Sequence, residues 1–439
     1  MAYLPHTDAD RRAMLEAVGL ASTRELFATV PSQLLDPPIE LPPPLGEQEL
    51  VDDLARLAAR NHPAGELDCF LGAGVYRRFI PAIVRATIGR PEFYTAYTPY
   101  QAEASQGTLQ TIFEFQSMIC ALTGMDVANA SLYDGATATA EGAILAAAHT
   151  GRDRLLVAAD VHPETLRVLR TYTGGRGIGI DLLPTPSGAV DGASVAALAG
   201  ESHAAVVVAQ PSFCGTVADL EPVARAAHAA GALLVAAVDP LAQSALVPAG
   251  ACGVDVAVGE AQQLGIPASF GGPHCGFIAA RDTVLRRLPG RVVGMSVDHD
   301  GRRAYTLTLQ TREQHIRREH ATSNICTNHA LMALAATAYM ARMGAAGMRR
   351  VVEVSAQRAH HLADRLTALP GVELAFAAPW LHEFAVRLPV DATAFARALR
   401  ERGIIAGLPL ERVWGPAAAD TLLVCCTETT APQAIERYV

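Results

Sequence analysis

Between residues 126 and 281 the chain alternates short apolar runs with alanine-rich stretches of helical spacing. The apolar runs predict strands near Ala128–Leu132, Leu155–Ala159, Ile178–Leu183, Ala205–Ala209, Leu233–Val238, Asp255–Val258 and Phe277–Ala280. Several are apolar on both faces, as strands are when a mostly parallel sheet lies buried under helices. The alternation predicts a large α/β domain. Its last two strands frame VDVAVGEAQQLGIPASFGGPHCGF, residues 254–277. Gly259 closes the strand there, so Glu260, Gln262 and Gln263 arrive at the carboxyl edge, where such sheets carry out chemistry. Gly271, Gly272 and Pro273 then turn the backbone tightly.

The flanking segments have other patterns. In residues 1–62, an acidic start followed by Met14, Leu15, Val18 and Leu20 predicts a first helix, and Ser22-Thr23 caps a second over RELFATV. PSQLLDPPIELPPPLG, residues 31–46, holds too much proline for a helix or a central strand. It predicts an extended strap, with Leu34, Leu35, Ile39 and Leu41 as apolar feet on another surface. Glu47 to Arg60 reads as an amphipathic helix, a later one buries Ile80, Ile83 and Val84, and Thr108 to Thr123 reads as a long one. Residues 285–327 are polar and arginine-dense: VDHDGRR predicts a hairpin or flap, and TREQHIRREH a charged helix. From 329 onward a long helix leads into a small α+β domain. The expected division is 1–62 for the arm and strap, 63–328 for the large domain with its flap near 285–327, and 329–439 for the small domain. GGRGIG, from Gly174, fails as a dinucleotide loop, because no strand precedes it and no helix follows.

Composition removes several classes of function. A net charge of −9 supplies no basic face for counterion release, which excludes a nucleic-acid partner. The most apolar run, Gly231 to Val238, stops at Asp239 and Pro240, far short of a membrane span. MAYLPHTDADRR has neither the basic start nor the apolar block of a signal peptide, so a cytoplasmic protein is expected. The eight cysteines form no CxxC pair, and the one adjacent histidine pair, His360-His361, faces apart on a helix, so no metal centre is expected. Most informative, the 35 basic residues are all arginine. In one large class of α/β sheets the strand end at Glu260 carries a lysine that holds pyridoxal phosphate as an imine. Arginine stays protonated and cannot form that bond.

Four stretches then become specific: TAYTPYQAEASQGTLQTIFEFQSMI, ANASLYDGATATAEG, VAVGEAQQLGIPASFGGPH and LTLQTREQHIRREHATSNICT. With PHTDAD in the arm, they resemble the N-terminal half of glycine decarboxylase, the P-protein of the glycine cleavage system, over essentially the whole chain. In some organisms that family has one long chain of two similar halves, and in others two subunits; a chain of this length resembles the separate first subunit, subunit 1 or alpha. The resemblance implies the aspartate-aminotransferase-like, type I pyridoxal-phosphate-dependent transferase fold, with a large mostly parallel sheet domain and a small C-terminal α+β domain. It implies pyridoxal phosphate in a lysine-bearing second subunit, none covalently bound to this chain, and an assembly of the two, expected as a two-plus-two heterotetramer. It also implies that glycine is decarboxylated and the aminomethyl group passes to the lipoyl arm of the H-protein. The other reading is a noncatalytic scaffold or regulatory paralogue of the same fold.

The resemblance places Gln262 in the lysine position of the cofactor-bearing half. It leaves a vestigial cofactor site: Asp239 where the fold offers a carboxylate to the pyridine nitrogen, and Gly135 with Thr137 opening a helix whose free N–H groups could hold a phosphate. No catalytic residue is expected in this chain alone. Tyr97, Thr98, Tyr100, Gln101, Ser105 and Gln106 are expected to line the active site at the partner interface, on a segment that Pro99 keeps out of helix and sheet. Ser323-Asn324 beside Cys326 is a second candidate, and His320 stands where the family usually has lysine.

Overall fold

A computed structural model describes residues 5–439. They form two compact units, divided between His62 and Pro63.

In the first unit the helices are Asp8–Ala17 and Glu47–Ala58. Asp10 and the Thr7 hydroxyl cap the first reciprocally, and Glu49 reaches back to the Gly46 N–H in the second. Ser22-Thr23 begins only a 3₁₀ turn, Thr23–Phe27, where the sequence pattern predicted a helix. Among the described residues of this unit no side chain is buried. Leu34, Ile39 and Leu41 of the strap are exposed, as are Leu50, Val51, Leu54 and Leu57 along the apolar stripe of the second helix.

The second unit is built on a seven-stranded sheet: β1 (Val127–Ala128), β2 (Arg154–Ala158), β3 (Gly179–Leu183), β4 (His203–Gln210), β5 (Leu233–Val238), β6 (Val256–Glu260) and β7 (Gly276–Ala280). The spatial order is β1-β7-β6-β5-β4-β2-β3. β3, β2, β4, β5 and β6 run parallel, while β7 and β1 pair antiparallel at one edge. Every residue of β4 is buried, which explains its unbroken apolar reading. The helix Gly135–Thr150 crosses β4 to β7, with ten buried residues supplied largely by alanine, so helix and sheet approach closely. GGRGIG leads from the helix Pro163–Gly174 into β3, the reverse of a dinucleotide loop.

The C-terminal part adds a four-stranded antiparallel sheet, in the order Glu373–Leu374, Glu383–Arg387, Thr421–Cys425, Leu408–Pro409, with its own core around Phe384, Val386, Leu422 and Val424. The long helix Ala330–Thr367 that leads into it breaks at Gly344, which takes a φ of 62°. VDHDGRR turns a hairpin between Val292–Val297 and Arg303–Thr308. The charged helix expected over TREQHIRREH is only Gln314–Arg317 flanked by 3₁₀ turns: its side chains are nearly all solvated, and no apolar stripe exists to dock a longer one. In the helix Ala82–Ile88, Val84 is buried but Ile83 is exposed, because it sits on the face opposite the core.

Candidate functional site

The parallel strands end together, and their carboxyl ends open into a cavity of about 540 Å³. β2 delivers His162, β4 Ser212, β5 Asp239 and β6 Glu260 and Gln263, while Gly135 enters from the helix that follows β1 and Glu383 from the C-terminal sheet.

The phosphate-sized end of this cavity is already filled. Asp134 caps the helix Gly135–Thr150 by accepting from the Thr137 N–H at 2.7 Å. The next free donor, the Gly135 N–H, points instead at Glu260, whose Oε2 accepts it at 3.0 Å. The other carboxylate oxygen of Glu260 accepts from the N–H groups of Gln262 (2.9 Å) and Cys275 (3.0 Å). His274 Nδ1 lies 3.2 Å from Oε2, and this bond raises the imidazole pKa above its ordinary value. A carboxylate at a helix N-terminus satisfies orphan donors and the dipole as a phosphate would. Gly135 is required here, because a Cβ on it would meet Cβ of Glu260 at 2.9 Å.

The opposite end is filled as well. One oxygen of Asp239 accepts from the N–H groups of Leu241 (2.8 Å) and Ala242 (3.2 Å), and the other accepts from Nε2 of Gln263 at 2.8 Å. Gln263 Oε1 in turn accepts two bonds from Arg78, at 3.0 and 2.7 Å. That guanidinium, buried, also bonds Ser355 and pairs with Glu428 at 2.9 Å. Arg78 Nη2 donates to His382 Nε2 at 3.2 Å; burial first and Arg78 second push the His382 pKa down to about 3, so its ring is neutral. A chain Glu428–Arg78–Gln263–Asp239 thus ties two carboxylates to one guanidinium, donor against acceptor.

Two further acids stand apart. Glu383 accepts from the Ala73 N–H at 2.6 Å and bonds the Tyr76 hydroxyl at 2.7 Å, and burial pushes its pKa up to about 7. Gly72 leaves the room for this contact, since any Cβ there would collide with the Glu383 carboxylate. Asp160, at the end of β2, is buried with neither carboxylate oxygen hydrogen-bonded, and burial raises it to about 7.

Of the residues singled out from sequence, Gly135, Asp239, Glu260 and Gln263 line the cavity, as do Gly271, Gly272 and Pro273. Thr137 lies at the same helix end, turned to Asp134. Gln262 does not line the cavity: its amide donates to the Ile266 carbonyl at 2.6 Å and accepts from the Tyr76 N–H at 3.5 Å, and its neighbour Gln263 faces Asp239. The other six lie outside the cavity. Tyr97 is 83% exposed and Tyr100 55%, the latter beside the Arg291 guanidinium, 5.7 Å from its ring centroid. Thr98 is half-buried and Gln101 exposed. Ser105 starts the helix Gln106–Thr123, and Gln106 clamps both backbone groups of Tyr305 at 2.8 Å. Ser323 is buried, Asn324 and Cys326 are exposed, and His320 is exposed beside Glu319. Arg78, Tyr76, His382 and Glu383 had no sequence signal. They come from segments more than 300 residues apart and meet only in the fold.

These residues do not fit pyridoxal phosphate. No lysine exists to hold it, Glu260 occupies the N–H group that a phosphate needs, and Gln263 occupies the carboxylate that a pyridine nitrogen needs.

The family model described as glycine cleavage system P-protein matches residues 1–439. A protein of Thermomicrobium roseum named "probable glycine dehydrogenase (decarboxylating) subunit 1" is 48% identical over all of this chain and 98% of its own. One of the same name from Desulforamulus reducens is 47% identical over 99% of this chain and 98% of its own. Among solved structures, a glycine decarboxylase (P-protein) of the glycine cleavage system, in inhibitor-bound form, is 46% identical with a TM-score of 0.89, over 100% of this chain and 98% of that one. An aspartate aminotransferase of Thermus thermophilus, at 16% identity, shares the fold with a TM-score of 0.57 over 84% of this chain and 99% of its own. The fold is that of type I pyridoxal-phosphate-dependent enzymes.

Proposed function

The chain belongs to the glycine cleavage system P-protein family, and from that premise we propose that it is the subunit of glycine decarboxylase without a cofactor of its own. One observation carries the reading: in a chain without lysine, Glu260 and Gln263 occupy both positions at which pyridoxal phosphate would be anchored. The cofactor then belongs to a lysine-bearing second subunit, in a two-plus-two heterotetramer of the cytoplasm. Glycine is decarboxylated there, and the aminomethyl group passes to the lipoyl group of the H-protein.

This chain's share is positional. Tyr97 and Tyr100 present phenols, and Gln101 an amide, on a segment whose exposed side chains a partner could cover. Such groups hydrogen-bond a carboxylate without competing for a proton near neutrality. The vestigial site acts as a rigid plug that holds the strand ends in place from behind, and the unburied leucines of the N-terminal unit offer further surface to the second subunit.

The test is glycine-dependent exchange of labelled carbon dioxide, with pyridoxal phosphate and lipoylated H-protein supplied. It is run on the chain alone and after co-expression with a lysine-bearing second subunit. Activity is expected only in the mixture. Activity of the chain alone would overturn the proposal, and silence in both arms would favour a scaffold.

A further inference from the structure

A second cavity, of about 280 Å³, shares no lining residue with the first. Leu71, Ile405 and Leu408 give it an apolar floor. Three arginines line it: Arg397 and Arg400, three residues apart on the helix Ala392–Glu401, and Arg412 from the short helix Glu411–Trp414. No aspartate or glutamate lines it, although Glu401 and Glu411 adjoin two of these arginines in sequence.

Elsewhere in the C-terminal part several exposed arginines are matched (Arg365 with Glu436, Arg387 with Glu373, Arg437 with Asp68), while Arg342 and Arg402 stand singly. Among the described residues Arg397, Arg400 and Arg412 make no ion pair and no side-chain hydrogen bond. What sets these three apart is that they surround one hollow, in a chain of net charge −9. Like charges one helical turn apart repel, so the arrangement costs a little in the empty state and favours an anion. Guanidinium groups are planar forks that match carboxylate and phosphate oxygens in pairs. The apolar floor fits a short hydrocarbon body behind such a head.

We propose that this cavity binds a small oxyanion, a phosphate or carboxylate group on a short apolar body, held by Arg397, Arg400 and Arg412. The site is independent of the glycine chemistry. Its test is titration of the full chain, by calorimetry at low ionic strength, with pyrophosphate and separately with glutarate. Saturable binding of at least one of them, one per chain, is expected, and the probe that binds more tightly identifies the head group. Affinity should fall about tenfold in Arg400→Gln and vanish in the triple Arg397→Gln/Arg400→Gln/Arg412→Gln variant. Arg387→Gln, which removes a matched arginine not lining the cavity, should leave binding unchanged. Failure of both probes to saturate overturns the proposal. So does binding that survives the triple substitution, or that falls as much in Arg387→Gln. The substituted side chains are exposed, so all variants should unfold at the temperature of the parent.

Discussion

The cavity at the sheet edge and the segment from Tyr97 to Gln101 are opposites. In the cavity nearly every polar group is matched from within the chain: Glu260 by three N–H groups and His274, and Asp239 by two N–H groups and Gln263. Along the segment the phenols face solvent. A site that binds a ligand keeps donors and acceptors in reserve, because whatever is satisfied internally must be broken before a ligand can use it. By that measure the cavity at the strand ends has its carboxylates already committed, and uncommitted groups lie along the segment. The difference teaches that the strand ends hold their polar groups within the chain, while the segment leaves its phenols free for the role proposed for them.

The largest effect is expected where the chain from Glu428 to Asp239 is cut. Arg78→Ala leaves Glu428 without its ion-pair partner and Gln263 Oε1 without its two donors. Removing one member of a buried ion pair costs about 3–5 kcal/mol, because the remaining charge keeps its desolvation penalty. Urea unfolding should show a loss of that size with little change in the slope. A loss below about 1 kcal/mol would mean that water reaches the chain Glu428–Arg78–Gln263–Asp239.

Sequence reading went far with the scaffold and less far with this chain of contacts. β2 to β7 were legible because a buried parallel strand is apolar throughout and the helices between them are alanine-rich. Asp239 was legible as a carboxylate at a strand end. The plug was not, because its members come from residues 78, 239, 263, 382 and 428, and pairing between distant segments leaves no periodic trace. The resemblance sets Gln262 in the lysine position, and the turn after Glu260 directs its neighbour Gln263 into the cavity, an orientation that no sequence pattern shows. The exposed face of Ile83 was missed for a simpler reason, since one apolar residue beyond a stripe cannot be told from the stripe itself.

The two raised acids come next in size. Glu383 and Asp160 are both held near 7 by burial, well above carboxyl groups in an unfolded chain. A folded-state pKa above the unfolded one contributes stability that is full below the unfolded value and is lost as pH rises through the folded value. The parent should therefore lose stability between about pH 4 and 7 by roughly 3–4 kcal/mol for each acid. Glu383→Gln keeps an acceptor for Ala73 and a polar partner for Tyr76 but has no proton to lose. Its stability should be flatter over that window and should exceed the parent's above pH 7, as should that of Asp160→Asn. Equal slopes in parent and both variants would show that neither acid is strained by burial.

A smaller effect tests the plug at the helix end. Glu260→Ala removes an acceptor from three N–H groups and from His274, at a cost of roughly 1–3 kcal/mol. It also frees the Gly135 N–H. Inorganic phosphate should then raise the unfolding temperature of this variant and leave that of the parent unchanged. A parent that responds as strongly as the variant would show that Glu260 does not hold the place of an anion.

The smallest effect on stability, and the sharpest test of the comparison, lies at Tyr97. Its side chain is exposed and has no hydrogen bond among the described residues, so Tyr97→Phe should change stability by less than about 0.5 kcal/mol. If the segment only anchors an irregular crossing, the assembled enzyme should not notice the substitution either, because the ring is retained. If the phenol makes one hydrogen bond across the subunit interface at the active site, carbon dioxide exchange in the mixture should fall by roughly two- to tenfold, the equivalent of one neutral hydrogen bond. Assembly with the second subunit, followed by sedimentation, should be unchanged, since a single rim hydroxyl contributes little to a large interface. A variant with full activity would remove Tyr97 from the site and leave Tyr100 and Gln101 as the groups to test, while one that fails to assemble would make the segment an interface anchor rather than part of the active site.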